Sequence, residues 1–511
     1  EKKIQTMVPL AQFVIGTLLV LACDAIPADP YNFTQIIDHF DSDVSTFEQR
    51  YYKNETWFAG PGSPILCIIG GEGSVPPETG IFYPFVTDVL AKRFSALVIE
   101  PEHRFYGTSL PFGANSFTDK SLKLATPQQA LGDLAYFIKG MQEQYQCTAR
   151  GTPGYCPVIT IGGSYPGWLS AMARLRYPAV VDFAYSASAP MLFYAQEVDQ
   201  YAYYEVVTNS AEKSVSGCSS AVRSALNSLA LLNKEDAISA INICEPLPDY
   251  LVDADDEFFM QELQMIFMFT FANLNMGNYP PSGSDLENTC NDFLTNGDSD
   301  PYGVLQRLII SYGSTSSMRR PSSHHQVEKM TVSQPQDTCF DMATELPNGS
   351  NSTISGGDWS GCGAGADGEL WDYETCGFLV EQIGVNGETD MFPPRSWELS
   401  WLENHCMDRF GVTPQPTALV DEWGFSPSTL ESTGATHILF TNGLNDGWSA
   451  GGITTNLSDT SQLLAINMVN GAHHSDLSHF EPDAAVDTPD VTQARSEISD
   501  LLARWLDELA Y

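Results

Sequence analysis

The sequence predicts an α/β fold: a mainly parallel sheet flanked by helices and broken once by a long helical insertion. Three observations carry that expectation. From Val158 to Pro178 the chain reads VITIGGSYPGWLSAMARLRYP, a β-branched apolar run, a Gly-rich turn around Ser164 and a helix from Trp168 to Arg176. Far downstream, the apolar strands His437 to Thr441 and Leu463 to Val469 each run into a polar loop, the first carrying Asp446 and the second His473. Between Met191 and Arg409 the alternation of strand and helix stops, and helical stretches take over at Ser219 to Leu232, Asp253 to Phe271 and Pro301 to Ser311. Strands alternating with helices build parallel sheets, whose carboxyl ends gather reactive groups.

The turn at Ser164 has a chemistry of its own. A serine at a sharp strand-to-helix turn exposes Oγ beside the positive end of the helix. The surrounding glycines let strand and helix approach closely. The usual pattern is G-x-S-x-G, and here Pro166 replaces the last glycine, a substitution the first turn of a helix tolerates. By itself this is also compatible with an ordinary Gly-rich turn. A nucleophilic serine, however, needs a base and an acid that orients the base, and α/β-hydrolases supply them in the chain order Ser, Asp, His. Ser164, Asp446 and His473 occupy three strand ends in that order. The expected architecture is therefore an α/β-hydrolase fold with an inserted helical cap: residues 26–190, the cap at 191–409, and residues 410–511. A cap of this kind encloses a cleft and governs what enters it.

Composition narrows the class. The 64 acidic against 24 basic residues give a net charge of −40. That charge argues against nucleic acid and anionic membrane surfaces as partners and suits an acidic compartment. Val8 to Ala22 is apolar but shorter than the roughly 20 residues of a membrane span. It ends at Ala22-Cys-Asp-Ala25 before a turn-prone Ile26-Pro-Ala-Asp-Pro30, so residues 1–25 are expected to be a cleaved signal peptide, with an uncleaved anchor as the alternative. Phe258 to Phe271 is interrupted by Gln261, Glu262 and Gln264 and is expected to be a buried helix, leaving no later segment to span a bilayer. The chain has 11 cysteines, and sequons at Asn32, Asn54, Asn348, Asn351 and Asn456 read as surface glycosylation sites, which agrees with secretion.

Taken in order, Asn32 to Tyr52 opens the mature chain. Pro64 to Ile69 is a strand running into Gly70-Gly71-Glu72-Gly73, where this fold places one oxyanion-hole N–H, and the backbone N–H of Tyr165 would supply the other. Phe94 to Ile99 is a strand leading to Glu100-Pro-Glu-His-Arg-Phe-Tyr-Gly107. His103 there is a competing base, but between Glu102 and Arg104 it reads better as part of a structural polar network. Gln128 to Gln142 is helical, and Cys147 and Cys156 bracket a short Gly/Pro loop that a disulfide would close. Asp182 to Ser188 is the strand after the elbow helix. In the insertion, His324-His325 reads as a solvated loop rather than a metal site, and Gly349 to Gly368 as an exposed loop. Glu497 to Leu509 closes the chain as an amphipathic helix with Ile498, Leu501, Leu502, Trp505 and Leu509 on one face.

The stretches FTQIIDHFD with TFEQRYY, IEPEHRFYGTSLPFG, IGGSYPGWLSAMARLRYP, HILFTNGLNDGWSAGG and NGAHHSDL together resemble family S28 of the serine peptidases. The likeness runs from Phe33 to the end, nearly the whole mature chain. It implies hydrolysis of peptides next to proline by a serine exopeptidase, secreted or lysosomal/vacuolar, with Ser164, Asp446 and His473 as the triad. It also implies disulfides Cys218–Cys290, Cys244–Cys339 and Cys376–Cys406. Cys67, in an apolar strand, reads as a buried thiol, and Cys362 has no assigned partner. A prolyl ring needs a snug apolar pocket. Trp168 and Trp448 are the candidate walls, with core packing as the other reading of Trp168. Glu72 is the candidate for holding a free substrate amine. No cofactor or metal is expected; the expected partners are peptides with proline near the scissile bond, and a homodimer is left open.

Three positions depart from the family pattern: Pro166, Gly447 in place of the proline of Asp-Pro-Trp, and Ser478 where an arginine is common. His474 competes with His473 for the role of base. A lipase or esterase remains the alternative function, since it would use the same triad on acyl esters. A non-enzymatic protein on this fold would normally lack a triad residue. Dipeptidyl-peptidase and carboxypeptidase action are not separated by these residues.

Overall fold

Eight strands build one sheet: β1 (Tyr31–Ile36), β2 (Thr46–Asn54), β3 (Ile65–Ile68), β4 (Leu97–Pro101), β5 (Val158–Gly163), β6 (Phe183–Ala187), β7 (Ile438–Gly443) and β8 (Leu463–Met468). Their spatial order is β1-β2-β4-β3-β5-β6-β7-β8. The first two pairings, β1 with β2 and β2 with β4, are antiparallel, and the rest are parallel. This is the α/β-hydrolase arrangement. The computed structural model describes residues 28–42, 44–247, 249–312, 339–340, 342, 365–477, 482–483 and 485–509. Residues 1–25, expected to be a signal peptide, and His324-His325, Asn348, Asn351, Cys362 and Ser478 lie outside the described residues.

Strands β3 to β7 are buried along their whole length, because helices cover both faces of a parallel sheet. Their sequences are accordingly near-continuous apolar runs rather than alternating ones. Pairing aligns Gly163 with Ala187, Ala187 with Thr441 and Gly443 with Met468. The loops after β5, β7 and β8 therefore emerge along one edge of the sheet.

Three boundaries differ from those expected. The stretch 32–52 forms the β1–β2 hairpin, whose polar and charged residues hid its strand character. The strand expected from Phe94 begins at Leu97, because Ala91–Phe94 closes a helix and Ser95 turns the chain in the left-handed region at φ 53°. The last helix starts at Pro489, two turns before Glu497; proline suits that first position, where no backbone N–H bond is lost. Ile498, Leu501, Leu502 and Trp505 pack under the sheet as its apolar face requires.

Between β6 and β7 the described chain is mainly helical, with Ala202–Ser214, Cys218–Leu229, Asp256–Met276, Asp285–Asn296, Pro301–Tyr312, Gly365–Gly377 and Leu399–Phe410 the longer helices. Asp256–Met276 starts where the Asp255 carboxylate accepts from Phe258 N at 2.9 Å, a side-chain N-cap. Its Phe259, Leu263, Phe267 and Phe271 form the centre of an apolar core in the insertion. No helix among the described residues is long and apolar enough to cross a membrane. Disulfides join Cys218 to Cys290, Cys244 to Cys339, Cys376 to Cys406, and Cys147 to Cys156 across the short Gly/Pro loop. Cys67 is a buried free thiol that desolvation keeps protonated.

Candidate active site

Ser164 stands between the last residue of β5 and the helix Tyr165–Arg176, with φ 63° and ψ −132°. A serine at positive φ is strained, and its surroundings hold it there. Its N–H donates to Ala187 O at 2.9 Å, while its carbonyl accepts from Gly167 N at 2.9 Å and Trp168 N at 3.1 Å. A side chain at Gly162 would sit 2.2 Å from Pro166 O, and one at Gly167 would sit 2.7 Å from Ala187 O. Both neighbours are backbone, so only glycine fits. Tyr165, first in its helix, has an N–H with no intrahelical acceptor.

The Gly70–Gly71 loop lies against this turn. A Cβ on Gly71 would fall 2.7 Å from Pro166 Cγ. The bulk at the elbow's altered position is thus accommodated by the missing side chain of the neighbouring loop. Burial raises the phenol pKa values of Tyr83, Tyr106 and Tyr165, followed by the charge of Glu100 on the first and of Glu374 on the other two, with Glu72 in the same region adding to each.

The acid and base meet after β7 and β8. His473 Nδ1 is 2.6 Å from Asp446 Oδ2, and Asp446 is fully buried. Asp446 Oδ1 accepts from Trp448 N at 3.2 Å, and Asp446 N donates to Gly443 O at 3.1 Å. A proton on Nδ1, directed at the carboxylate, leaves Nε2 as the nitrogen able to accept one. His474 is placed differently. Its N–H donates to Ser188 Oγ at 3.0 Å and its ring packs edge-on to Tyr83 and against Gly163, beside the elbow. Of the two histidines, His473 is the one on Asp446.

Around this core lies a buried polar network. Glu102 accepts from Arg50, Val75 N, Thr108 N, Ser109 N and the Ser109 hydroxyl. Arg104 forks onto Asp133 at 2.6 and 2.5 Å. His103 Nδ1 lies 2.8 Å from Arg104 O, which can only accept, so Nδ1 carries the proton and Nε2 accepts from Tyr165 OH at 3.2 Å. With both nitrogens engaged, His103 is no free base, and burial brings its pKa down to about 4.

Trp168 is packed in the core beside the elbow. Three residues after Tyr165, its side chain lies beneath the elbow helix, fully buried and stacked between Tyr165 and Trp423, with Tyr194 and Phe425 edge-on. Trp448 is differently placed: its ring is tilted 6.5 Å from that of His473, flanked by Phe193 and Tyr203, and its Nε1 donates to Met276 Sδ at 3.3 Å.

Sequence reasoning missed several groups here. Tyr83, at φ 66°, braces His474. From the insertion, Trp371 packs on Tyr165, and Asp367 accepts from Ser74 N at 2.9 Å. Asn275 contacts the loop of Asp446. None carries a local sequence signal. Of the described sequons, Asn32 and Asn456 are exposed, and Asn54 is half-buried with its Oδ1 accepting from Thr56 N. Asp372, Cys376 and His405 cluster closely enough to suggest a metal site. Cys376 is bonded to Cys406, however, and His405 sits 2.7 Å from Asp372, so no thiolate is available there.

Comparison with known proteins places the chain among serine peptidases. The family profile described as serine carboxypeptidase S28 matches residues 35–498. Lysosomal Pro-X carboxypeptidase of Homo sapiens is 31% identical, over 91% of this chain and 85% of its own length. The Mus musculus protein of that name is 32% identical, over 89% and 85%. Thymus-specific serine protease of Mus musculus is 28% identical, over 94% and 87%.

Proposed function

The chain belongs to the serine carboxypeptidase S28 family and is a serine peptidase, and on that premise we propose that it removes C-terminal residues following proline through a Ser164–His473–Asp446 triad. The observation that carries the triad is the 2.6 Å contact of His473 with buried Asp446, on loops leaving the same sheet edge as strained Ser164. His473 Nε2 takes the proton of Ser164 as Oγ attacks the scissile carbonyl. Asp446 holds the ring and stabilises the imidazolium. The N–H groups of Tyr165 and Gly71 receive the developing oxyanion; one such donor is worth about 2.7–4 kcal/mol. His473 then returns the proton to the leaving amine, and water, activated by the same base, hydrolyses the acyl-enzyme.

Proline preference is favoured by the relatives named Pro-X carboxypeptidase, and the largely buried Trp448, its ring 6.5 Å from that of His473, is the candidate apolar wall for the prolyl ring. The same relatives favour carboxypeptidase over dipeptidyl-peptidase action, with Glu72 as the group that would serve the latter by holding an amine. Disulfides favour an oxidising, secretory or lysosomal setting. Paired substrates test the polarity. A peptide with a blocked N-terminus, penultimate proline and free carboxylate is expected to be cleaved at least about tenfold faster than a free-amine X-Pro amide. Cleavage of the free-amine substrate alone would reverse the assignment.

A further inference from the structure

We infer that Asn275, at the end of the insertion helix Asp256–Met276, positions the catalytic acid and ties the insertion to the chemistry; this rests on the triad reading above. Asn275 is fully buried. Its Oδ1 accepts from Gly447 N at 2.8 Å and its Nδ2 donates to Asn445 O at 2.6 Å. Those two groups belong to the residues on either side of Asp446. One amide therefore grips the backbone before and after the acid, and only one orientation of that amide satisfies both partners. Ser210 Oγ, from the helix Ala202–Ser214, donates to the same Asn445 carbonyl at 2.6 Å.

The next residue continues the clamp onto the base. Met276 O accepts from His473 N at 3.4 Å, and Met276 Sδ accepts from Trp448 Nε1 at 3.3 Å. The last turn of one helix thus touches the loop of the acid and the loop of the base. That helix packs its other side chains into the insertion's apolar core, so its placement depends on the packing of the insertion. Gly447 completes the arrangement. A Cβ there would lie 2.7 Å from the Tyr203 ring, and glycine keeps the N–H that Asn275 receives, which a proline would lack.

The consequence is a division of labour. The sheet brings Asp446 to the correct strand end, and Asn275 sets its final aim at His473. An aim that drifts by about 1 Å typically costs on the order of 100-fold in rate. Asn275 touches no reacting atom, so its loss should lower kcat and leave KM nearly unchanged.

The test uses the full-length enzyme and a proline-containing peptide. Asn275→Ala is expected to lose about 10- to 100-fold in kcat, with KM within about threefold of wild type. Asn275→Asp offers the same acceptor and donor while protonated, which burial favours. At about pH 5 it should retain most of the kcat lost by Asn275→Ala, and it should lose activity as the carboxyl ionises at higher pH. Asp446→Asn is the reference. If Asp446→Asn stays active, the triad reading fails. If Asp446→Asn is inactive but Asn275→Ala keeps kcat within about twofold of wild type, the positioning role is overturned. Should Asn275→Ala not fold, an Asn275→Asp enzyme that folds yet shows no recovery at low pH overturns it equally.

Discussion

His103 offers a quantitative test of the buried network under the oxyanion hole. The perturbation is His103→Gln, which removes the titrating ring but keeps a polar side chain. In the folded protein burial lowers the pKa of His103 from 6.5 to about 4. A lowered histidine pKa means that the unfolded chain binds the proton more readily. Stability from this site is therefore complete above pH 6.5, is lost as the pH falls, and is exhausted below about 4. Over the whole window the loss is about 3 kcal/mol, of which about 2 kcal/mol has gone by pH 5. The assay is denaturant unfolding of wild type and variant at pH 7.5 and pH 5. Groups common to both proteins cancel in the difference. Wild type should lose about 2 kcal/mol more than His103→Gln between those pH values. A stability difference between the two proteins that does not change with pH would refute the proton assignment. Protonation of Nε2 would also break the bond from Tyr165 OH, so wild-type kcat should fall below about pH 4 more steeply than that of the variant.

Three further substitutions probe the same edge of the sheet. Gly71→Ala sets a methyl 2.7 Å from Pro166 Cγ and should lower kcat about tenfold or more by shifting an oxyanion donor; adding Pro166→Ala, which removes that ring carbon, should recover part of the loss in steady-state assays. Glu100 is fully buried, and desolvation raises its pKa well above 4.5, only partly opposed by the bond it accepts from Phe82 N. A carboxyl raised on folding contributes its full stability below 4.5 and loses it as the pH climbs through the folded value. Glu100→Gln should accordingly gain on wild type as the pH rises from about 4 to 8 in unfolding measurements, whereas a constant offset would mean Glu100 does not titrate in the fold.

How much of this was legible in the sequence depended on whether the signal was local. β5, β7 and β8 announce themselves as apolar runs ending in glycine-rich loops, so the strand ends that carry Ser164, Asp446 and His473 could be read directly. The β1–β2 hairpin could not, because Glu48, Gln49, Arg50 and Lys53 give it the look of a loop. Trp168 illustrates a different limit. Proximity to the nucleophile in sequence does not decide what a helix residue faces, and Trp168, like Tyr165 one turn before it, is buried in the core. Asn275 lies 170 residues from Asn445, on a helix whose own pattern reports only burial. Contacts of that kind belong to tertiary packing, and no periodicity encodes them.

The most direct measurement is covalent. A fluorophosphonate reacts with a serine made nucleophilic by a base–acid pair, and mass-spectrometric mapping of the labelled protein identifies the residue. Labelling should fall on Ser164, be lost in Ser164→Ala, and be far slower in His473→Ala than in His474→Ala. Full labelling of the Ser164→Ala protein, or a label on another serine, would contradict the assignment of this site as the catalytic centre.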